Sequence, residues 1–79
     1  MDAVKVRKTA FAKEFGAIVR EHREVSELSQ EALADAARLH RTHISLIERG
    51  QRSVRLETIE ALAKALKVQP ADLMPKIKL

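Results

Sequence analysis

Five arginines fall between residues 38 and 55 of this 79-residue chain: Arg38, Arg41, Arg49, Arg52 and Arg55. Only Glu48 opposes them, so this stretch carries a formal charge of +4, equal to that of the whole chain. Arginine presents a planar, permanently charged fork of N–H donors. That fork suits phosphate oxygens and the O6/N7 edge of guanine. The alternative for such a run is a plain solvated basic surface. His40 and His43 stand three apart in the same stretch, a spacing that could begin a metal site. No Cys or carboxylate completes the set, so no metal site and no cofactor are expected.

Catalytic constellations are missing. The chain has no Cys nucleophile, no Gly-rich phosphate loop, and no motif pairing carboxylates or grouping Ser, His and Asp. The expectation is no enzyme, no catalytic residue and no small-molecule substrate. Without Cys, disulfides are excluded, which favours a reducing compartment. Two Phe with no Trp or Tyr imply an aliphatic core. They also remove the aromatic platforms on which readers of single strands stack bases. The first dozen residues lack the apolar core of a secretory signal, and no apolar run approaches the roughly 20 residues of a membrane span. A soluble, cytoplasmic protein with no membrane partner is expected. A domain of this size buries only about 60% of its unfolded surface, so a second subunit is expected to add buried area.

Two Gly, two Pro and abundant Ala, Leu, Glu, Lys and Arg argue for an all-α fold. Residues 1–8, "MDAVKVRK", are aperiodic and basic, and read as a flexible arm. Thr9 is a candidate N-cap, and Phe11, Phe15, Ile18 and Val19 then follow helical spacing over about residues 10–25. Gly16 inside that helix implies a close approach by a neighbour. Ser29 caps a second helix in which Leu33, Ala36 and Ala37 form a small-residue face. Ile44 and Ile47 mark another helix, ended by Gly50 at the C′ position. Leu56, Ile59, Leu62, Ala63 and Leu66 give a clean stripe over about 56–67. Pro70 opens a short last helix, Pro75 stops it, and residues 76–79 form a tail.

The stretch "ADAARLHRTH" over residues 34–43 is ambiguous, because it contains no Gly, Pro, Asn or Ser. One long helix fits the spacing of Leu33, Ala37, Ile44 and Ile47, but it exposes Leu39 and Leu46 and buries His40. A corner near Arg38 instead turns Leu39 inward as a plug between two short helices.

Residues 30–49, "QEALADAARLHRTHISLIER", resemble the helix-turn-helix unit of the Cro/lambda-repressor (XRE) family. Ala34 and the apolar Leu33, Ala37, Leu39, Ile44 and Ile47 stand where that unit places a small residue and its core. "FGAIVREHRE" resembles the family's first helix, and "LETIEALAKALKVQPADLM" its last two. The resemblance covers about residues 11–74 and implies a five-helix lambda-repressor-like domain over residues 9–75, with the corner rather than the long helix.

It also implies roles. Arg41, Thr42, Ser45 and Leu46 match base-reading positions on a third helix that enters the major groove. Ser29, Gln30, His43, Arg52 and Ser53 match positions that touch the DNA backbone. Arg23 and Glu48 match an ion pair tying the first helix to the third. Leu66, Val68, Leu73, Met74 and Ile77 are the candidates for a homodimer interface. The partner implied is double-stranded DNA, read by a homodimer on a palindromic operator.

"LHRTHISLIERGQR" and the short length look most like controller proteins of restriction–modification systems, which regulate their own operon. An antitoxin-type interaction module that also binds DNA, or a phage-type repressor, is the alternative. The sequence departs from the family at Glu27 and Arg38, where Gly is common. It also lacks the usual Ser or Thr caps at His40 and Arg55, and has His22 in place of an apolar residue.

Overall fold

The computed structural model describes residues 9–76. The basic arm expected over residues 1–8 and the residues beyond Lys76, Ile77 among them, lie outside the described residues. Four α-helices follow one another: α1 (Ala10–Val25), α2 (Gln30–Ala37), α3 (Arg41–Glu48) and α4 (Leu56–Leu66). A short 3₁₀ turn, Pro70–Leu73, comes last. Among the described residues there is no strand.

The fifth helix is therefore corrected to a single 3₁₀ turn. Its backbone bonds skip three residues, with Asp72 N–H on the Gln69 carbonyl at 2.9 Å and Met74 N–H on that of Ala71 at 3.2 Å. Pro70 and Pro75 enclose only four residues between them, too few to propagate an α-helical ladder. The Asp72 carboxylate accepts from the Gln69 N–H at 2.9 Å and closes the turn.

The helix starts follow their caps. Thr9 Oγ1 accepts from Ala12 N–H at 3.0 Å, and Ser29 Oγ from Ala32 N–H at 2.9 Å. His40 and Arg55 occupy the same place before α3 and α4 and make no side-chain cap bond.

The helix ends share one device. After α1, Glu27 N–H bonds the Glu24 carbonyl and Leu28 N–H that of Arg23. After α2, Arg38 N–H bonds Asp35 and Leu39 N–H bonds Ala34; after α4, Lys67 N–H bonds Lys64 and Val68 N–H bonds Ala63. This pairing satisfies the last carbonyls and requires a left-handed residue. Glu27, Arg38 and Lys67 each take φ near +60°, although none is Gly. The apolar residues that follow them, Leu28, Leu39 and Val68, pack against the core. After α3 the left-handed position is Gly50, at φ 69°.

The core is aliphatic apart from Phe15. Val19 from α1, Leu33 from α2, Ile44 and Ile47 from α3, Leu62 from α4 and Leu73 from the last turn are almost completely buried together. Burying such a side chain contributes roughly 1.5–3 kcal/mol. α3 is thus held from both sides, by α1 and by α2.

Candidate nucleic-acid interface

α2 and α3 are two eight-residue helices joined by Arg38, Leu39 and His40. The corner, not the long helix, is the observed structure. Leu39 is half-buried and packed on the core, as a plug should be. Arg38 reverses the chain in the left-handed conformation, at φ 60° and ψ 43°. Such a residue costs roughly 1–2 kcal/mol when it carries a Cβ, so packing around Leu39 and the two capping bonds must outweigh that strain.

α3 divides cleanly. Ile44, Ile47 and Glu48 face inward and are buried. Arg41 and Thr42 are exposed on the first turn, while Ser45 and Leu46 are half-exposed one turn further on. Arg41 with Ser45 and Thr42 with Leu46 are i, i+4 neighbours, and the two pairs lie side by side as a strip on the outward side of α3. Ser29 is exposed at the start of α2, and Gln30 is half-buried beside it. Arg52 and Ser53 are exposed in the loop after α3. All five arginines of the 38–55 stretch are exposed.

Behind the strip lies a polar network. Arg23 Nε donates to Glu48 Oε2 at 2.6 Å, and its terminal N–H groups donate to Glu48 Oε1 at 3.1 Å and to the Leu28 carbonyl at 2.8 Å. Gln30 Nε2 adds a fourth bond, to Glu48 Oε1 at 3.0 Å. The Glu48 residue is only 9% exposed, yet no buried side-chain polar atom among the described residues lacks a partner. The hydrogen bonds to Glu48 raise the Arg23 pKa, burial opposes them, and the charges of Glu48 and Glu24 add to the rise. The guanidinium therefore stays charged. Its pairing with Glu48 locks α1 to α3, as expected from the sequence. The bond from Gln30 was not expected, since eighteen residues separate the partners in sequence.

Around His43 the electrostatics differ. Burial lowers its pKa, and the charge of Arg52 and the imidazole of His40 lower it further, so the neutral form is favoured.

The expected dimer residues separate. Leu66 and Leu73 are buried in the protomer's own core, so their assignment to an interface is corrected. They stand at the end of the stripe because they hold α4 and the last turn to the core. Val68 is half-buried, and Met74 is 37% exposed. Leu56, placed by its spacing on the apolar stripe of α4, is instead 83% exposed at the start of that helix. No group of three or more His, Asp or Glu among the described residues could hold a metal ion. No helix among them is long and apolar enough to cross a membrane.

A family model described as "Helix-turn-helix domain" matches residues 14–75. Control protein C.BamHI from Bacillus amyloliquefaciens is 56% identical over 61 residues, which span 76% of this chain and 75% of that protein. This chain belongs to the helix-turn-helix controller proteins. The crystal structure of the restriction–modification controller C.AhdI from Aeromonas hydrophila superposes with a TM-score of 0.82 at 42% identity, over 84% of this chain and all of that one. The controller C.Esp1396I, solved as a tetramer in complex with its natural 35-base-pair operator, superposes with a TM-score of 0.77 at 28% identity. That match covers 82% of this chain and 86% of the other. In this controller protein, α2 and α3 are the two helices of the helix-turn-helix.

Proposed function

We propose that this protein is a sequence-specific regulator of transcription that binds double-stranded DNA as a homodimer on a two-fold symmetric operator and controls its own operon. The observation that carries this reading is the division of α3. Its inner face is locked by Ile44, Ile47 and Glu48, and its outer face presents Arg41 and Thr42 at the leading end.

An α-helix of this kind fits the major groove with its N-terminal residues at base edges. Arg41 bonds guanine O6 and N7 through two parallel N–H groups. Thr42 and Ser45 offer hydroxyls to base edges, and the Leu46 and Thr42 methyl groups suit the methyl of thymine. Ser29 and Gln30, with the backbone N–H groups at the start of α2, hold one phosphate run. His43, Arg52 and Ser53 hold another. The backbone contacts fix the register in which the base contacts read.

A lone recognition helix covers few base pairs, so specificity requires two copies spaced by one helical turn, about 34 Å, or a multiple. With Leu66 and Leu73 committed to the core, the surface for a second copy is Leu56 with its neighbours Ile59 and Pro70, extended by Met74, which lines a groove with Ile59. A tetramer is the form in which the C.Esp1396I controller was solved with its operator.

The test is selection of bound duplexes from a random pool, followed by affinity measurements at two salt concentrations. The expected result is one enriched motif with two-fold symmetry and affinity that falls steeply with salt. A pool without enrichment, or binding indifferent to salt, would overturn the reading. For the interface, Leu56→Lys is expected to shift sedimentation toward monomer while Val25→Lys, equally exposed on α1, does not.

A further inference from the structure

We infer that Gln30 is a positioning residue, whose amide, held on the Glu48 carboxylate, fixes the angle between α2 and α3 and thereby sets discrimination between duplex sequences. The inference rests on the DNA reading proposed above.

The geometry is that of a V. Its apex is the corner Arg38–His40, and its arms are the two eight-residue helices α2 and α3. Each arm is about 12 Å long. Gln30 is the first residue of α2 and Glu48 the last of α3, so the two lie at the open ends of the arms. The 3.0 Å bond from Gln30 Nε2 to Glu48 Oε1 closes the open side.

Among the described residues this is the one side-chain hydrogen bond between the two arms. The buried face of α2 consists of Leu33 and two alanines, Ala34 and Ala37. Small, smooth side chains allow close approach but resist tilting weakly. The corner itself pivots on one strained residue. A directional bond at the far end has the longest lever on the tilt of α3 relative to the start of α2. Glu48 is itself immobilised by Arg23, so the anchor is rigid.

Chemistry also fixes the amide's orientation. An ionised carboxylate only accepts hydrogen bonds, so Gln30 must turn its NH₂ toward Glu48. One amide N–H is consumed there, and the other remains to meet a phosphate oxygen. The same side chain then touches the backbone clamp and the recognition helix together. An equal loss of all DNA binding is what a phosphate contact alone predicts. A loss concentrated on the operator is what angle control predicts, because random duplex tolerates a tilted helix.

Three variants test this: Gln30→Met, Gln30→Glu, and Gln30→Glu combined with Glu48→Gln. Each is measured against the selected operator and a random duplex, with thermal melting in parallel. Gln30→Met keeps the length and loses the donor. Its ratio of operator to random-duplex affinity is expected to fall about tenfold, the order of a hydrogen bond to a charged group, on top of a loss common to both duplexes from the missing phosphate contact. Gln30→Glu sets two acceptors face to face and is expected to lose more. The double variant restores a donor–acceptor pair by exchange and is expected to recover the operator-to-random ratio but not the absolute affinity, because a carboxylate at position 30 still repels phosphate and an amide at position 48 leaves Arg23 one acceptor oxygen instead of two.

Equal losses on both duplexes for Gln30→Met would overturn the inference, as would a Gln30→Glu defect that the exchange leaves unrepaired. Should the double variant not melt cooperatively, Gln30→Met decides alone. A wild-type protein that enriches no sequence overturns the DNA reading itself, and that outcome is seen before any variant is made.

Discussion

A Cβ built on Gly16 would lie 2.1 Å from the backbone carbonyl oxygen of Ile47 and 2.8 Å from that of Glu48. The middle of α1 therefore rests directly on the last turn of α3, backbone against backbone. Since those carbonyls belong to α3, the fit of α1 at this point sets how far α3 stands out from the body. Gly16→Ala is expected to push the helices apart and to cost about 1–3 kcal/mol or more, the range for overpacking. Urea denaturation measures it. Ala17→Gly, on the exposed side of the same helix, provides the control, with a loss of about 1 kcal/mol from helix propensity alone.

Left-handed Arg38, Glu27 and Lys67 store strain at three of the four helix ends. Replacing each by Gly removes roughly 1–2 kcal/mol of steric cost and returns about 0.5–1 kcal/mol through the extra freedom of the unfolded chain. A net gain of about 0.5–1 kcal/mol is expected for Arg38→Gly, visible as a higher melting temperature. A melting temperature unchanged or lowered would show that the Arg38 side chain stabilises the corner by contacts that offset its strain.

These ends also show where the sequence was legible. The span of α1 over 10–25 and the start of α2 after Ser29 followed from caps and apolar spacing, which are local signals; the end of α2 did not, because one long helix fits the same spacing. The conformation of Arg38 was posed by the sequence but not settled by it, since local propensity argues against φ near +60° there. Lys67 carries no signal in its own residue type. Its signal is the apolar Val68 just past the stripe, the same pattern as Leu28 after Glu27 and Leu39 after Arg38. The bond from Gln30 to Glu48 had no local signal, because the corner alone brings the two together. Leu66 and Leu73 were misassigned for a related reason: an apolar stripe looks the same whether it faces its own core or a partner.

Glu48 accepts three hydrogen bonds from two side chains while almost buried. Glu31 is exposed in the first turn of α2 and contributes mainly through the helix dipole. Glu48→Ala leaves the Arg23 charge without its partner and is expected to cost about 3–5 kcal/mol. Glu31→Ala is expected to cost under about 1 kcal/mol. Equal denaturation midpoints for the two variants would refute the assignment of Arg23 and Glu48 as the structural tie.

The imidazole of His43 titrates below its ordinary value in the folded chain. Between that lowered value and the unfolded value near 6.5, the unfolded chain binds more protons. Stability contributed by neutral His43 is therefore complete above about pH 6.5 and is lost as pH falls through the folded value. His43→Gln, which cannot protonate, is expected to show a shallower loss of stability with acid over that window. Melting curves of the two proteins at matched pH give the difference, and parallel curves would contradict it.

Arg41 and Arg52 are both exposed and both charged, yet one leads the outward strip of α3 and the other lies in the following loop. The proposed reading gives Arg41 a bidentate bond to guanine and Arg52 a phosphate contact. Arg41→Ala is expected to lose about 1–3 kcal/mol on the operator and to relax base choice at one position of each half-site. Arg52→Ala is expected to weaken operator and random duplex alike and to reduce the salt slope by about one. Repeating the duplex selection with each variant separates the two roles. If Arg41→Ala returns an unchanged motif, the base-reading strip does not begin at Arg41 and the register of α3 in the groove is different.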